Sequence, residues 1–151
     1  MTGPQELKGK ILDFVALLQA GQSADRPFVE AFSNAGEAED ADASFFPEFI
    51  DDFRSETAGI LDKVRSTVGR LGRAETVAAQ ELVEAYRLCH MLKGSSATMG
   101  FNRLSYLAHG MERIFEDLRG ERLQLTHELV TILQEGMALI DEAIAAMKPP
   151  K

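Results

Sequence analysis

The sequence predicts an all-α protein: an up-down antiparallel four-helix bundle with an additional helix ahead of it. Three observations carry this. From residue 45 onward the apolar residues recur with a period near 3.6 and show no strand-like alternation. Gly and Pro punctuate that stretch into four runs of roughly 18 to 25 residues. The chain has 151 residues, 45% apolar and 26% charged, which suffices for one domain with a real core. Helices of that length, each with one apolar stripe and joined by short links, bury their stripes most economically against one another with neighbours antiparallel.

Residues 1–44 read as an N-terminal extension. Leu7, Ile11, Phe14, Val15 and Leu18 stand at helical spacing, so one short amphipathic helix is expected over about residues 5 to 19. From Ala20 to Ser44 the periodicity stops. Pro27 and the string GEAEDADAS mark an acidic, mobile connector whose apolar cluster is Phe28, Val29 and Phe32. Three basic residues face eight acids in this extension, a net of -5, against -3 in the remainder.

The bundle is expected over residues 45–148. Its first helix uses Phe46, Phe49, Ile50, Phe53, Ile60, Leu61, Val64, Val68 and Leu71, begins near Pro47 as a first-turn proline, and loses definition at Gly69 and Gly72. The second runs from about Glu75 to Met99 and ends at Gly100. The third starts around Asn102, carries Leu104, Leu107, Ala108, Met111, Ile114, Phe115 and Leu118, and stops at Gly120, read as a left-handed C-terminal cap. The fourth spans about residues 126 to 147 with Leu129, Ile132, Leu133, Met137, Ile140, Ile144 and Met147. Pro149 and Pro150 forbid its extension, so residues 149–151 begin a linker, and the KPPK ending points to a longer parent chain.

Charge and composition exclude several classes of function. Sixteen Lys plus Arg against 24 Asp plus Glu give a net of -8, the wrong sign for a binder of nucleic acid or lipid headgroups. Uncharged stretches reach only about ten residues, where a membrane span needs roughly 18. The lone Cys89 cannot form an internal disulfide and the N-terminus lacks a signal core, so a cytoplasmic location is expected. No phosphate-binding loop of the G-x-x-x-x-G-K type occurs, and Gly69 with Gly72 is too short a motif to cradle a nucleotide. No cofactor is expected to bind this chain.

The informative stretch is Cys89 to Gly100, CHMLKGSSATMG. With 100° per residue, Leu82, Ala85, Leu88, Cys89, Leu92, Ser96 and Met99 gather on one side, centred about 130° from His90. The imidazole therefore points away from the core. Tyr86 and Gly94 lie one turn below and above it, Ala97 two turns above, and Lys93 at its flank. A mid-helix glycine costs roughly 1 kcal/mol relative to Ala, so Gly94 needs a reason. Access supplies one, because without a side chain there a bulky partner can approach the imidazole. Lys93 suits an arriving anion, and a phosphoryl group on a neutral imidazole stays reactive enough to pass to a carboxylate. The plain alternative is an inert surface histidine with a lysine one turn on. Cys89 falls inside the core stripe and reads as an inert packed thiol. His90, His109 and Glu112 could in principle ligate a metal, but the helices turn Leu, Ile and Phe inward, so no metal site is expected.

His90, the Lys93-Gly94 pair, Ser95-Ser96 and Gly100-Phe101 together resemble the signature of histidine-phosphotransfer (HPt) domains. The continuation FNRLSYLAHGMERIFEDLRGERL and the upstream FFPEFIDDFRSETAGIL are similar to the P1 phosphoacceptor domain of chemotaxis histidine kinases of the CheA type, over about residues 45 to 148. The resemblance implies that His90 is the phosphoacceptor, with Lys93 assisting electrostatically and Gly94 keeping the approach clear. It implies that His109 and Glu112, three residues apart on the third helix and opposite its Leu104, Leu107, Met111 and Leu118 stripe, form a relay that fixes the tautomer of His90. It also implies two partners. One is a kinase domain holding ATP outside this chain; the other is a response-regulator receiver of the CheY kind, docking over Tyr86, Leu88, Met91, Ala97 and Thr98. The alternatives are a free-standing phosphorelay protein and a non-catalytic helical scaffold for a signalling partner.

Overall fold

The computed structural model describes Ala35 and residues 47–73, 77–123 and 125–145. Within them the chain forms four helices, α1 (Pro47–Gly72), α2 (Ala79–Thr98), α3 (Asn102–Arg119) and α4 (His127–Ala145), and no strand occurs among the described residues. Packing closes a ring: α1 meets α2 and α4, and α3 meets α2 and α4, while the α2/α3 pair packs most intimately. Links as short as residues 99–101 force consecutive helices to run antiparallel. This is the all-α bundle that the periodicity predicts. The core is filled by Ile50, Leu61, Leu92, Leu104, Leu107, Met111, Ile114, Phe115 and Leu133, at the stripe positions of all four helices.

The element boundaries follow from local chemistry. α2 starts at Ala79 rather than near Glu75, because Val77 and Ala78 are still outside the helix. Val77 and Leu82, flanking the Ala78 N-cap as a hydrophobic staple would, both pack against the core. α4 begins where the Thr126 hydroxyl accepts a hydrogen bond from the Leu129 N–H at 3.1 Å. The N-terminal helix expected over about residues 5 to 19 and the residue 149–151 linker lie outside the described residues. Of the expected mobile connector only Ala35 is described, and it is helical and fully buried in the core cluster, contrary to a free connector at that position.

Two helix ends share one geometry with different residues. α2 closes in a Schellman motif, with Phe101 N–H bonded to Ser96 C=O at 2.9 Å and Gly100 N–H to Ala97 C=O at 3.0 Å. Gly100 holds the left-handed position at φ 82°, and the buried Phe101 stacks obliquely on Phe53 at 5.4 Å. At the end of α3, Arg122 N–H bonds Asp117 C=O at 2.9 Å and Glu121 N–H bonds Leu118 C=O at 3.2 Å. Here the left-handed residue is Glu121, at φ 59°, and Gly120 is right-handed at φ -82°. The expectation of a left-handed cap at Gly120 is thus one residue early, because the helix runs one residue past the point where glycine would suit it. Nor does packing demand the glycine: a Cβ there would meet only the guanidinium of Arg122, the end of a flexible, largely exposed side chain that can swing aside.

Candidate functional site

His90 projects from the middle of α2 with 59% of its side chain exposed, while Ala85, Leu88, Cys89, Leu92 and Ser96 on the other side of the same helix are buried. The helical wheel placed them so. Across the α2/α3 seam, Nδ1 of His90 lies 2.9 Å from Oε2 of Glu112, and Nζ of Lys93 donates to Oε1 of the same carboxylate at 3.0 Å. Glu112 is only 6% exposed. A carboxylate withdrawn from water is tolerated when charged or polar donors occupy its oxygens, and here two do.

The chemistry follows from this pairing. An ionised carboxylate accepts hydrogen bonds, so the Nδ1 facing it carries the ring proton, and Nε2 keeps its lone pair. Tyr86, one turn earlier and half-buried, stacks near the ring at 6.1 Å and 21°. One turn later, a Cβ built at Gly94 would meet no atom within 4 Å. No packing demand explains the glycine, which leaves the outward approach to Nε2 unobstructed.

Glu112 departs from the sequence expectation in its burial. The Leu104, Leu107, Met111 and Leu118 stripe set it on the outer side of α3, yet Gly110 is buried along with the expected Ala108, Ile114 and Phe115. The buried arc of α3 is therefore wide enough to take Glu112 in at its edge. Small residues on α2 (Ala85, Cys89, Ser96) let the two helices approach and close over it. His109 is half-buried on α3, three residues before Glu112, and the bond from Glu112 to His90 is direct.

Of the expected docking residues, Met91, Ala97 and Thr98 are exposed around His90 and Tyr86 is half-exposed. Leu88 is corrected: at 4% exposure it belongs to the core and no docking protein can touch it. The wheel already placed it on the core stripe. Arg87 was missed. It lies exposed at i-3 from His90, grips Glu84 through Nε at 3.0 Å and Nη2 at 2.7 Å, and reaches Sδ of Met91 at 3.2 Å. Cys89 is buried, and burial together with the nearby Glu112 charge pushes its thiol well above the ordinary range. Among the described residues no three His, Cys, Asp or Glu side chains converge as metal ligands, and no helix is long and apolar enough to cross a membrane.

Comparison with known proteins bears on the same residues. The family model for the Hpt domain matches residues 48–147. Chemotaxis protein CheA of Listeria monocytogenes is 34% identical over 84 residues, 56% of this chain and 13% of the relative. CheA of Bacillus subtilis is 30% identical over 64 residues, 42% of this chain and 10% of the relative. CheA of Salmonella typhimurium is 28% identical over 74 residues, 49% of this chain and 11% of the relative. The chain thus spans only about a tenth to an eighth of the length of these relatives. No solved structure gives a significant match. Since the family model spans both helices that build the His90 site and the two that support them, the chain belongs to the Hpt domain family, the histidine phosphotransfer domains of two-component signalling.

Proposed function

We propose that His90 is the phosphoacceptor of this domain and that the domain works as one module of a chemotaxis-type histidine kinase. The supporting observation is the division of the imidazole: Nδ1 is tied to the buried Glu112 at 2.9 Å, while the side chain as a whole is 59% exposed, which leaves Nε2 as the nitrogen open to a partner. ATP is held by a separate kinase domain. The Nε2 lone pair attacks the γ-phosphorus, the bond to the bridging oxygen breaks, and ADP leaves as the N–P bond forms. The ring, still protonated at Nδ1, then carries positive charge, which Glu112 balances. In the second step an aspartate carboxylate of a response-regulator receiver attacks the phosphorus. The N–P bond breaks and the electron pair returns to Nε2. Lys93, held half-buried by Glu112, supplies positive charge beside the incoming phosphoryl group. Tyr86, Met91, Ala97 and Thr98 form the surface on which kinase and receiver dock in turn. The relatives named CheA support the chemotaxis setting and a CheY-like receiver.

The test is incubation with radiolabelled ATP and the ATP-binding domain of a CheA kinase. Wild type is expected to acquire an acid-labile, base-stable label on His90, and His90→Gln to acquire none. A label on His109 or His127 in His90→Gln would overturn the assignment. No label on wild type from the kinase or from a small phosphoramidate donor would favour a scaffold.

A further inference from the structure

Lys93 is held at both ends. Its ammonium bonds Glu112 at 3.0 Å, and its backbone carbonyl accepts a hydrogen bond from the Ser105 hydroxyl at 2.9 Å. Ser105 and Glu112 are seven residues apart on α3, which places them on one face, two turns and roughly 10 Å from each other. On α2 the side chain of a residue leans toward the helix N-terminus while its carbonyl points toward the C-terminus. Because α3 runs antiparallel, it meets the first end with Glu112 and the second with Ser105.

Resting on the reading of His90 as phosphoacceptor, we infer that Ser105 is a positioning residue for this reaction. Its bond to the Lys93 carbonyl fixes the axial register of α2 against α3, and that register sets the His90 Nδ1 to Glu112 bond that directs the lone pair to Nε2. Two helices in contact slide and rotate by fractions of an ångström unless a directional bond pins them. The apolar seam is non-directional, so the polar links decide the register. The carboxylate is almost completely buried and cannot follow a shifted imidazole. Loss of the Ser105 link therefore reaches His90 through backbone register, without Ser105 touching the reacting atoms.

The experiment compares wild type, Ser105→Ala and Ser105→Thr, with two readouts. Long-range nitrogen NMR of the imidazole at about pH 8 reports the His90 tautomer, and the initial rate of phosphoryl uptake from phosphoramidate reports reactivity without a partner protein. Wild type is expected to hold the Nδ1–H tautomer. Ser105→Ala is expected to populate both tautomers and react about three- to tenfold more slowly, with the melting temperature lowered by no more than about 4 °C. Ser105→Thr, which keeps the hydroxyl, restores both readouts. If Ser105→Ala keeps a single tautomer, the proposal is overturned, whatever happens to its stability. If Ser105→Thr behaves like Ser105→Ala, the hydroxyl is not the cause and the proposal again fails. Should wild type take up no phosphoryl group at His90, the phosphoacceptor reading falls, while the tautomer still decides the role of Ser105.

Discussion

The α2/α3 seam and the α1/α4 seam are each crossed by a carboxylate bonded to a cation at ordinary distance: Lys93 to Glu112 at 3.0 Å and Arg65 to Asp141 at 2.7 Å. Their surroundings differ. Glu112 is 6% exposed and Asp141 50%. Water screens the second pair, which then contributes between nothing and about 1 kcal/mol. The first pair is shielded, and each partner depends on the other for solvation. Distance alone makes the two bridges look alike, with the exposed one slightly shorter. Burial separates a link able to orient an imidazole from one that decorates a surface.

The largest effect that sharpens this comparison lies on the open face of the α2/α3 seam. Gly94→Leu is expected to melt at or above the wild-type temperature, since the site is empty and Leu favours helix. Phosphoryl transfer from a kinase domain should nevertheless fall by at least about 100-fold, because the new side chain stands over the approach to His90. Equal initial rates for the variant and wild type would remove access as the reason for the glycine.

Glu112→Ala comes next. Phosphorylation is expected to slow by about 10 to 100-fold as the ring loses its orienting partner, with a stability loss of about 1 to 3 kcal/mol from the unsatisfied donors left in the seam. Chemical denaturation and initial-rate measurements on the same samples separate the two. A variant that is fully active would break the distinction drawn between the seams.

Cys89 tests whether the α2/α3 seam stays closed. Its thiol pKa is raised in the folded protein by burial and by Glu112, so the folded state holds that proton more tightly than the unfolded chain. Stability from this source is full below the ordinary thiol value of about 8.5 and declines as pH rises past it. Cys89→Ala should flatten that alkaline decline. An aromatic disulfide reagent at about pH 8 should leave the native thiol unreacted and titrate it after denaturation; rapid reaction of the native protein would mean an open seam.

The smallest effect belongs to the exposed bridge. Asp141→Ala should shift stability by no more than about 0.5 kcal/mol and leave phosphorylation unchanged. A loss approaching that of Glu112→Ala would show that burial is not what distinguishes the two seams.

How far the sequence could be read is visible in α2. His90, Ala85, Cys89, Leu92 and Ser96 lie where a wheel of 100° per residue puts them, and Gly94 is as open as its unfavourable helix propensity required it to be. Leu88 could have been placed correctly by the same wheel. α3 was less legible. Its buried arc extends past the expected apolar positions to Gly110 and Glu112, because a neighbouring helix with small side chains comes close enough to cover them.

Helical periodicity is a local property, and the sequence by itself determined what is local: four helices, their inward stripes, the outward histidine, and the glycine beside it. Register and approach distance between helices depend on side chains far apart in the chain. Only the tertiary structure decided that Glu112 would be buried against His90 and Lys93, and that Ser105 would reach a carbonyl of α2. It also moved the left-handed residue closing α3 from Gly120 to Glu121. The physical reason is the same in each case. A helix wheel specifies which way a side chain leaves its own axis, and only packing specifies what it meets there.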